Sequence, residues 1–244
     1  MKAHKGLGRV RMDDERDENY LISDALQSPK FEKQGSADSD YQYWWTSGWW
    51  GNQGATSACV SYAWMHWLED GPITHFYDDR NFDPWYKDDD QQCLFNPTDV
   101  YDECQRRDRW RGENYAGTSV RAGAKVLKDR GVIEEYRWGW TLDDLINTVL
   151  QFGPVVVGTY WYEDMYEPDS DGVVSVGGRR VGGHAYVVNG INLDKGLARA
   201  KNSWSRHWGD DGHFWIPLDP GMKRLIEGGG EVCLATEKKL KEDT

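Results

Sequence analysis

"GNQGATSACVSYAWMHWLEDG", residues 51–71, decides how the rest of the chain is read. Glutamine and glycine lead through small residues to one cysteine, Cys59, and an apolar run begins directly behind it. Val60, Ala63, Trp64 and Trp67 recur at helical spacing and Gly71-Pro72 stops the pattern, so the spacing predicts a helix over roughly 58–70. The thiol then sits in the first helical turn, among backbone N–H groups that lack an intrahelical acceptor and at the positive end of the helix dipole. Such a place stabilises the thiolate, which is the nucleophile, and offers donors to an oxyanion forming beside the sulfur. A lone cysteine is more often a buried packing residue, so a nucleophile needs further parts.

Those parts lie downstream. "VGGHAYVVNGIN" sets His184 after two glycines and ahead of a strand pattern, and "KNSWSRHWGDDGHFW" supplies Asn202 with Trp204 two positions later. An imidazole can hold a thiolate and then protonate a departing amine, provided a third group orients the ring. A carboxamide such as Asn202 can accept the ring N–H and select the tautomer.

These blocks resemble the papain-like cysteine peptidases, the papain and cathepsin family. "NQGATSAC", "GGHAYVVNG" and "NSWSRHWGDDGHF" match its glutamine–cysteine, histidine and asparagine–tryptophan segments in order, with His184 lying 125 and Asn202 143 positions after Cys59. "YAGTSVRAGAKVLKDRGV" is similar to a segment of bacterial members. The resemblance covers about residues 50–216 and implies a two-lobed α+β fold with the site in the cleft between lobes. It implies Cys59 as nucleophile, His184 as general acid/base and Asn202 as its orienter. Gln53 and the Cys59 N–H would form the oxyanion hole, and Trp204 would cover the His184–Asn202 bond. Ser57, Gly117, Thr118 and Gly183 would line the substrate groove. Gly158 and Gly182, near the pocket for the second residue before the cut, would leave that pocket roomy.

Some positions depart from the family pattern. Thr56, Ser57 and Ala58 stand where Cys-Gly-Ser is usual, and Val60 stands where an aromatic follows the nucleophile. Thr56 removes a cysteine that forms a disulfide in the family, and Ser57 puts a side chain beside the cleft. Fifty-eight residues precede Cys59, short of a mature N-terminus plus a full inhibitory pro-segment. Either zymogen control is absent, or the N-terminal arm has a smaller role.

Further out, Asn96 or Thr98 caps a helix over roughly 97–107, Thr118 or Ser119 caps one over about 119–129 ending at Gly131, and Thr141 caps a fourth carrying Leu142, Leu145, Ile146 and Leu150. "PVVVGTYW", "DGVVSVGG", "HAYVVNGIN", "LARAKNSW" and "GHFWIPL" read as short strands. Helices first and strands second indicate α+β. The expected organisation is an extended arm over 1–40, a helical lobe over 41–140, a β-rich lobe over 141–237 and a solvated tail over 238–244.

The 244 residues suffice for one large domain or two lobes. A net charge of −12 argues against nucleic acid and against anionic membrane surfaces as partners. The N-terminus has no signal-peptide core and no stretch is long enough to span a bilayer, so the expectation is a soluble, cytoplasmic protein, or one carried in a virus particle. In that compartment Cys59, Cys93, Cys104 and Cys233 stay reduced. His207, His213, Asp210 and Asp211 match no zinc spacing and Asp88–Asp90 no calcium loop, so no metal or other cofactor is expected. His66 reads as a packing residue. The pairs Trp44–Trp45 and Trp49–Trp50 either pack beside the Cys59 helix or offer an aromatic surface to a protein partner.

The leading reading is an endopeptidase acting on peptides or proteins. A binding or structural module with reduced catalysis is the first alternative, and a Cys–His acyltransferase or amidase the second.

Overall fold

The computed structural model describes residues 5–28, 49–71, 94–108 and 115–237. Residues 72–93 and the expected tail, with Trp44, Trp45, Cys93 and Asp88–Asp90, lie outside the described residues.

Among the described residues, six α-helices and six strands build the fold. The helices are α1 (Ile22–Gln27), α2 (Cys59–Asp70), α3 (Pro97–Arg107), α4 (Val120–Asp129), α5 (Leu142–Gln151) and α6 (Lys223–Glu227). The strands are β1 (Ile133–Gly139), β2 (Val155–Tyr162), β3 (Arg180–Asn192), β4 (Leu197–Lys201), β5 (His213–Pro217) and β6 (Glu231–Glu237). The strands form one antiparallel sheet in the order β1-β6-β2-β3-β4-β5.

Local chemistry sets the helix starts. Asn96 accepts the N–H of Thr98 ahead of α3, and Ser119 accepts that of Ala122 at the start of α4. Thr141 and Asp144 form a reciprocal capping box on α5. α2 is apolar on nearly every side and is buried on nearly every side, with only Tyr62 and Glu69 reaching the surface. Its tryptophans still find acceptors: Trp64 Nε1 donates to Val120 O at 3.0 Å and Trp67 Nε1 to Pro154 O at 2.9 Å. Those bonds tie α2 to α4 and to the entry of β2.

Strand alternation divides the core in two. Val156, Ala185, Val187, Cys233 and Ala235 face α2, α3 and α4, whereas Val155, Val157, Tyr186, Val188, Val232 and Leu234 face α1, α5 and α6. A sheet buried on both faces therefore separates a helical side from a second core.

Three expectations need correction. "DGVVSVGG" is not a strand; it contributes a single bridge, Val173 to Trp215, because Gly172 and Gly178, each at φ 77°, break the extended backbone. β1 and β6 were not anticipated, since Glu134, Glu135 and Arg137 blur the alternation of β1. The N-terminal arm is more than a covering, for α1 buries Ile22 and Ala25 in the second core. Among the described residues no helix is long and apolar enough to cross a membrane.

Candidate active site

Cys59 is the first residue of α2, behind Ala58 as N-cap, so the thiol occupies the turn expected for it. It is fully buried, and burial pushes the thiol up to about 12. The N–H groups of Ala185, Val60 and Arg9, with the Arg9 charge, oppose that shift without reversing it. The expected thiolate is thus a neutral thiol in this arrangement. Removal from water outweighs the helix terminus, whose reach is about one turn and whose effect is at most about 2 kcal/mol.

His184 stands on β3 opposite Thr159 of β2. Its Nε2 lies 2.8 Å from Asn202 Oδ1, which also accepts the N–H of Ser203 at 2.8 Å. An oxygen with that second donor is an acceptor, so Nε2 carries the proton and Nδ1 holds the lone pair of the neutral ring. Nδ1 is buried and has no hydrogen-bond partner among the described residues. The Ala185 N–H that acts on the Cys59 sulfur belongs to the next residue along β3, so the sulfur lies against the strand that carries His184. Burial takes the imidazole down to about 4, with the Asn202 bond pulling the other way.

Trp204 stacks on the His184 ring, with centroids 4.9 Å apart and planes at 23°, while Trp161 meets it edge-on at the same distance. The two indoles exclude water from the His184–Asn202 bond. Trp161 was missed as a site residue, although its place in β2, two residues beyond Thr159, puts it on the histidine's face of the sheet.

Gln53 lies beside this group. Its backbone N–H donates to Ser203 O at 2.9 Å, and Ser203 Oγ donates to Gln53 Oε1 at 2.5 Å. Nε2 donates one hydrogen to Thr56 O at 2.8 Å, leaving the other for an oxyanion. Ser203 therefore holds the carboxamide's orientation, a role the sequence analysis did not give it. His66 Nε2 accepts the Gly51 N–H at 3.0 Å and so anchors the segment leading to Gln53.

The groove residues Gly117, Thr118, Gly183 and Ser57 come together around the chain's own residues 5–10. Thr118 donates to Gly8 O and accepts from Val10 N, both at 2.9 Å. Gly183 O accepts from the N–H groups of Gly8 at 2.9 Å and Arg9 at 3.0 Å. Gly117, at φ 102°, has no room for a side chain, since a Cβ there would lie 2.1 Å from Gly8 O. The pocket opened by Gly158 holds the Arg9 side chain, whose Nε donates to Glu231 Oε1 at 2.9 Å. A Cβ on Gly182 would meet Leu7. A crevice of about 1650 Å³ flanks the segment, bordered by Ser57, Ala116, Tyr166, Arg180 and Trp208.

The surface proposed for a protein partner is reduced. Trp49 is 2% exposed and packs on Tyr62 and His66 beside α2, so it presents no face outward.

No family model matches the chain. In sequence it is similar to cathepsin B-like cysteine proteinase 6 of Caenorhabditis elegans, 25% identical over 181 residues, which is 63% of this chain and 42% of that protein. It is also similar to cathepsin B-like protease 1 of Arabidopsis thaliana, 29% identical over 160 residues, 63% of this chain and 38% of the relative. The matched part thus spans less than half the length of these curated relatives. Among solved structures, xylellain, a cysteine protease from Xylella fastidiosa, superposes with a TM-score of 0.67 at 16% identity, covering 98% of this chain and 97% of its own. The chain therefore has the two-lobed α+β fold of the papain-like cysteine proteases, and its sequence is similar to those of cathepsin B-like proteinases.

Proposed function

We propose that the chain is a cysteine endopeptidase that hydrolyses peptide bonds through an acyl-enzyme. The observation that carries this is the 2.8 Å bond fixing the His184 tautomer, which leaves the buried Nδ1 unpartnered among the described residues. Nδ1 takes the thiol proton and the sulfur attacks the substrate carbonyl. Negative charge on that oxygen is met by the Cys59 N–H and the free hydrogen of Gln53 Nε2. The imidazolium then gives its proton to the departing amine, and water, deprotonated by the same nitrogen, releases the acyl group. A peptide or protein is the substrate class, and Asn202 and Trp204 keep the ring aligned and dry.

The test is cleavage of a mixed peptide library, read by mass spectrometry. Cys59→Ala should abolish cleavage, and His184→Ala should lower it by about a thousandfold, within the range for a positioned acid/base. Cleavage that survives Cys59→Ala would sink the reading.

One observation favours a binding module with reduced catalysis: the sulfur is fully buried, which disfavours its thiolate. That reading requires that no peptide be cut even when the cleft segment is displaced.

A further inference from the structure

His66 stands two turns along α2 from Cys59 and is fully buried. Its Nε2 accepts the Gly51 N–H at 3.0 Å. A neutral imidazole that accepts at Nε2 carries its hydrogen on Nδ1, and that donor is buried with no hydrogen-bond partner among the described residues. As packing alone the ring is a poor choice, because a leucine would fill the space and leave no unpaired donor. What the ring supplies is the acceptor, and the chain it grips leads to Gln53.

Two aromatic rings and a glycine shape that grip. Trp49 lies against His66 with centroids 4.7 Å apart and against Tyr62 at 6.1 Å. A Cβ on Gly51 would fall 2.5 Å from both Trp49 Cη2 and Tyr62 Cδ1, so only glycine brings its N–H down to the helix.

Beyond Gly51 the segment runs beside the residues that follow Asn202. Gly51 O accepts the Ser205 N–H at 3.3 Å, Asn52 bridges Trp204 in the antiparallel sense, and Gln53 N donates to Ser203 O at 2.9 Å. On its other side Gln53 enters the turn 53–56, where Thr56 N and Oγ1 donate to Gln53 O at 3.2 and 2.7 Å. Gly54, Ala55 and Thr56 are exposed, and Gly54 has φ 59°. A turn that stands in water does not by itself hold the Gln53 carboxamide at a set distance from Cys59. His66 does so from the buried side, because the helix that carries it begins with Cys59. The seven residues between them, at about 1.5 Å each, make a stiff span of roughly 10 Å.

We propose that His66 is a positioning residue for the oxyanion hole: its hold on the Gly51 N–H keeps Gln53 Nε2 in register with the Cys59 N–H. The proposal rests on the peptidase reading of the same site. It gives His66 a part in the reaction without any contact with substrate.

The experiment measures kcat and KM on a fluorogenic peptide, together with hydrogen exchange of the Gly51 and Gln53 amides by NMR. His66→Phe keeps a ring against Trp49 and His66→Leu fills the space; both remove the acceptor. Each should lower kcat by about a hundredfold, the cost of a misplacement of about 1 Å, with KM within twofold of the parent. Both amides should exchange at least tenfold faster. His66→Gln, whose Oε1 can accept in place of Nε2, should return kcat to within fivefold of the parent. In a Gln53→Ala background His66→Phe should lower kcat by less than a further threefold, because the donor it serves is gone.

A kcat within twofold of the parent in either His66→Phe or His66→Leu would overturn the proposal. So would a His66→Phe effect as large in the Gln53→Ala background as in the parent, for the ring would then be structural. If the amides loosen as expected but the parent cuts no peptide, the hold on Gln53 stands and the peptidase reading falls. If the parent cuts peptide and neither exchange nor kcat changes, the peptidase reading stands and the role of His66 falls.

Discussion

A carboxamide oxygen can only accept, and the contact to Asn202 Oδ1 therefore decides which nitrogen of His184 carries the proton. Without that oxygen both tautomers become available and the ring can turn between Trp161 and Trp204. Asn202→Ala should lower kcat by about a hundredfold, the lower end of what a positioned acid/base contributes. KM should move little, because Asn202 acts through the ring. A fluorogenic peptide assay separates the two constants, and a change confined to KM would contradict the assignment.

At the scale of elements, the site depends on how α2 is tied to the sheet. Asp70, the last residue of α2, pairs with Lys201 at the end of β4 at 2.7 Å, both side chains fully buried, and Asn189 Nδ2 donates to the other carboxylate oxygen at 2.8 Å. The next residue after Lys201 is Asn202, so this pair locates the point from which the orienting carboxamide leaves the sheet. Lys201→Met leaves a carboxylate buried without its cation and should cost about 3–5 kcal/mol. Adding Asp70→Leu should recover most of the loss. Urea unfolding at pH 7 checks the cycle; single and double variants of equal stability would mean that the pair is not the tie.

For the whole molecule, burial has a consequence for pH. His184 and His213 are held down at about 4, against 6.5 for an ordinary ring. Burial is the main cause for both; at His213 the charges of Arg199 and Lys201 add to it, while Asp70 and the Asp211 carbonyl oppose it. Between those values the unfolded chain binds protons that the folded chain refuses. Stability from these rings is therefore complete above about pH 6.5 and is lost as the pH falls towards 4, by up to about 3 kcal/mol for each. Unfolding midpoints should decline steadily from pH 7 to pH 4.5. A flat profile would show that these rings are not shielded in solution.

Much of this was legible in the sequence because it is local. Helix starts follow from Asn96, Ser119 and Thr141, each bonding an N–H two or three residues on, and helix faces follow from spacing. The order of the Cys59, His184 and Asn202 blocks was enough to expect the fold that the comparison with xylellain shows. β1 and β6 were hidden because their pairing partners are about a hundred residues apart, as Ile133 and Glu237 are, and nothing in either strand names the other.

The sequence by itself determined which side chains the site contains and which helix carries the sulfur. Only the tertiary structure decided their state. Whether a thiol is ionised depends on its surroundings, and these include Arg9, whose segment is held by bonds from residues 6–10 to Gly54, Thr118 and Gly183. Arg9 and Glu231 stand 222 positions apart, and their meeting in one dry pocket is a property of the folded chain alone.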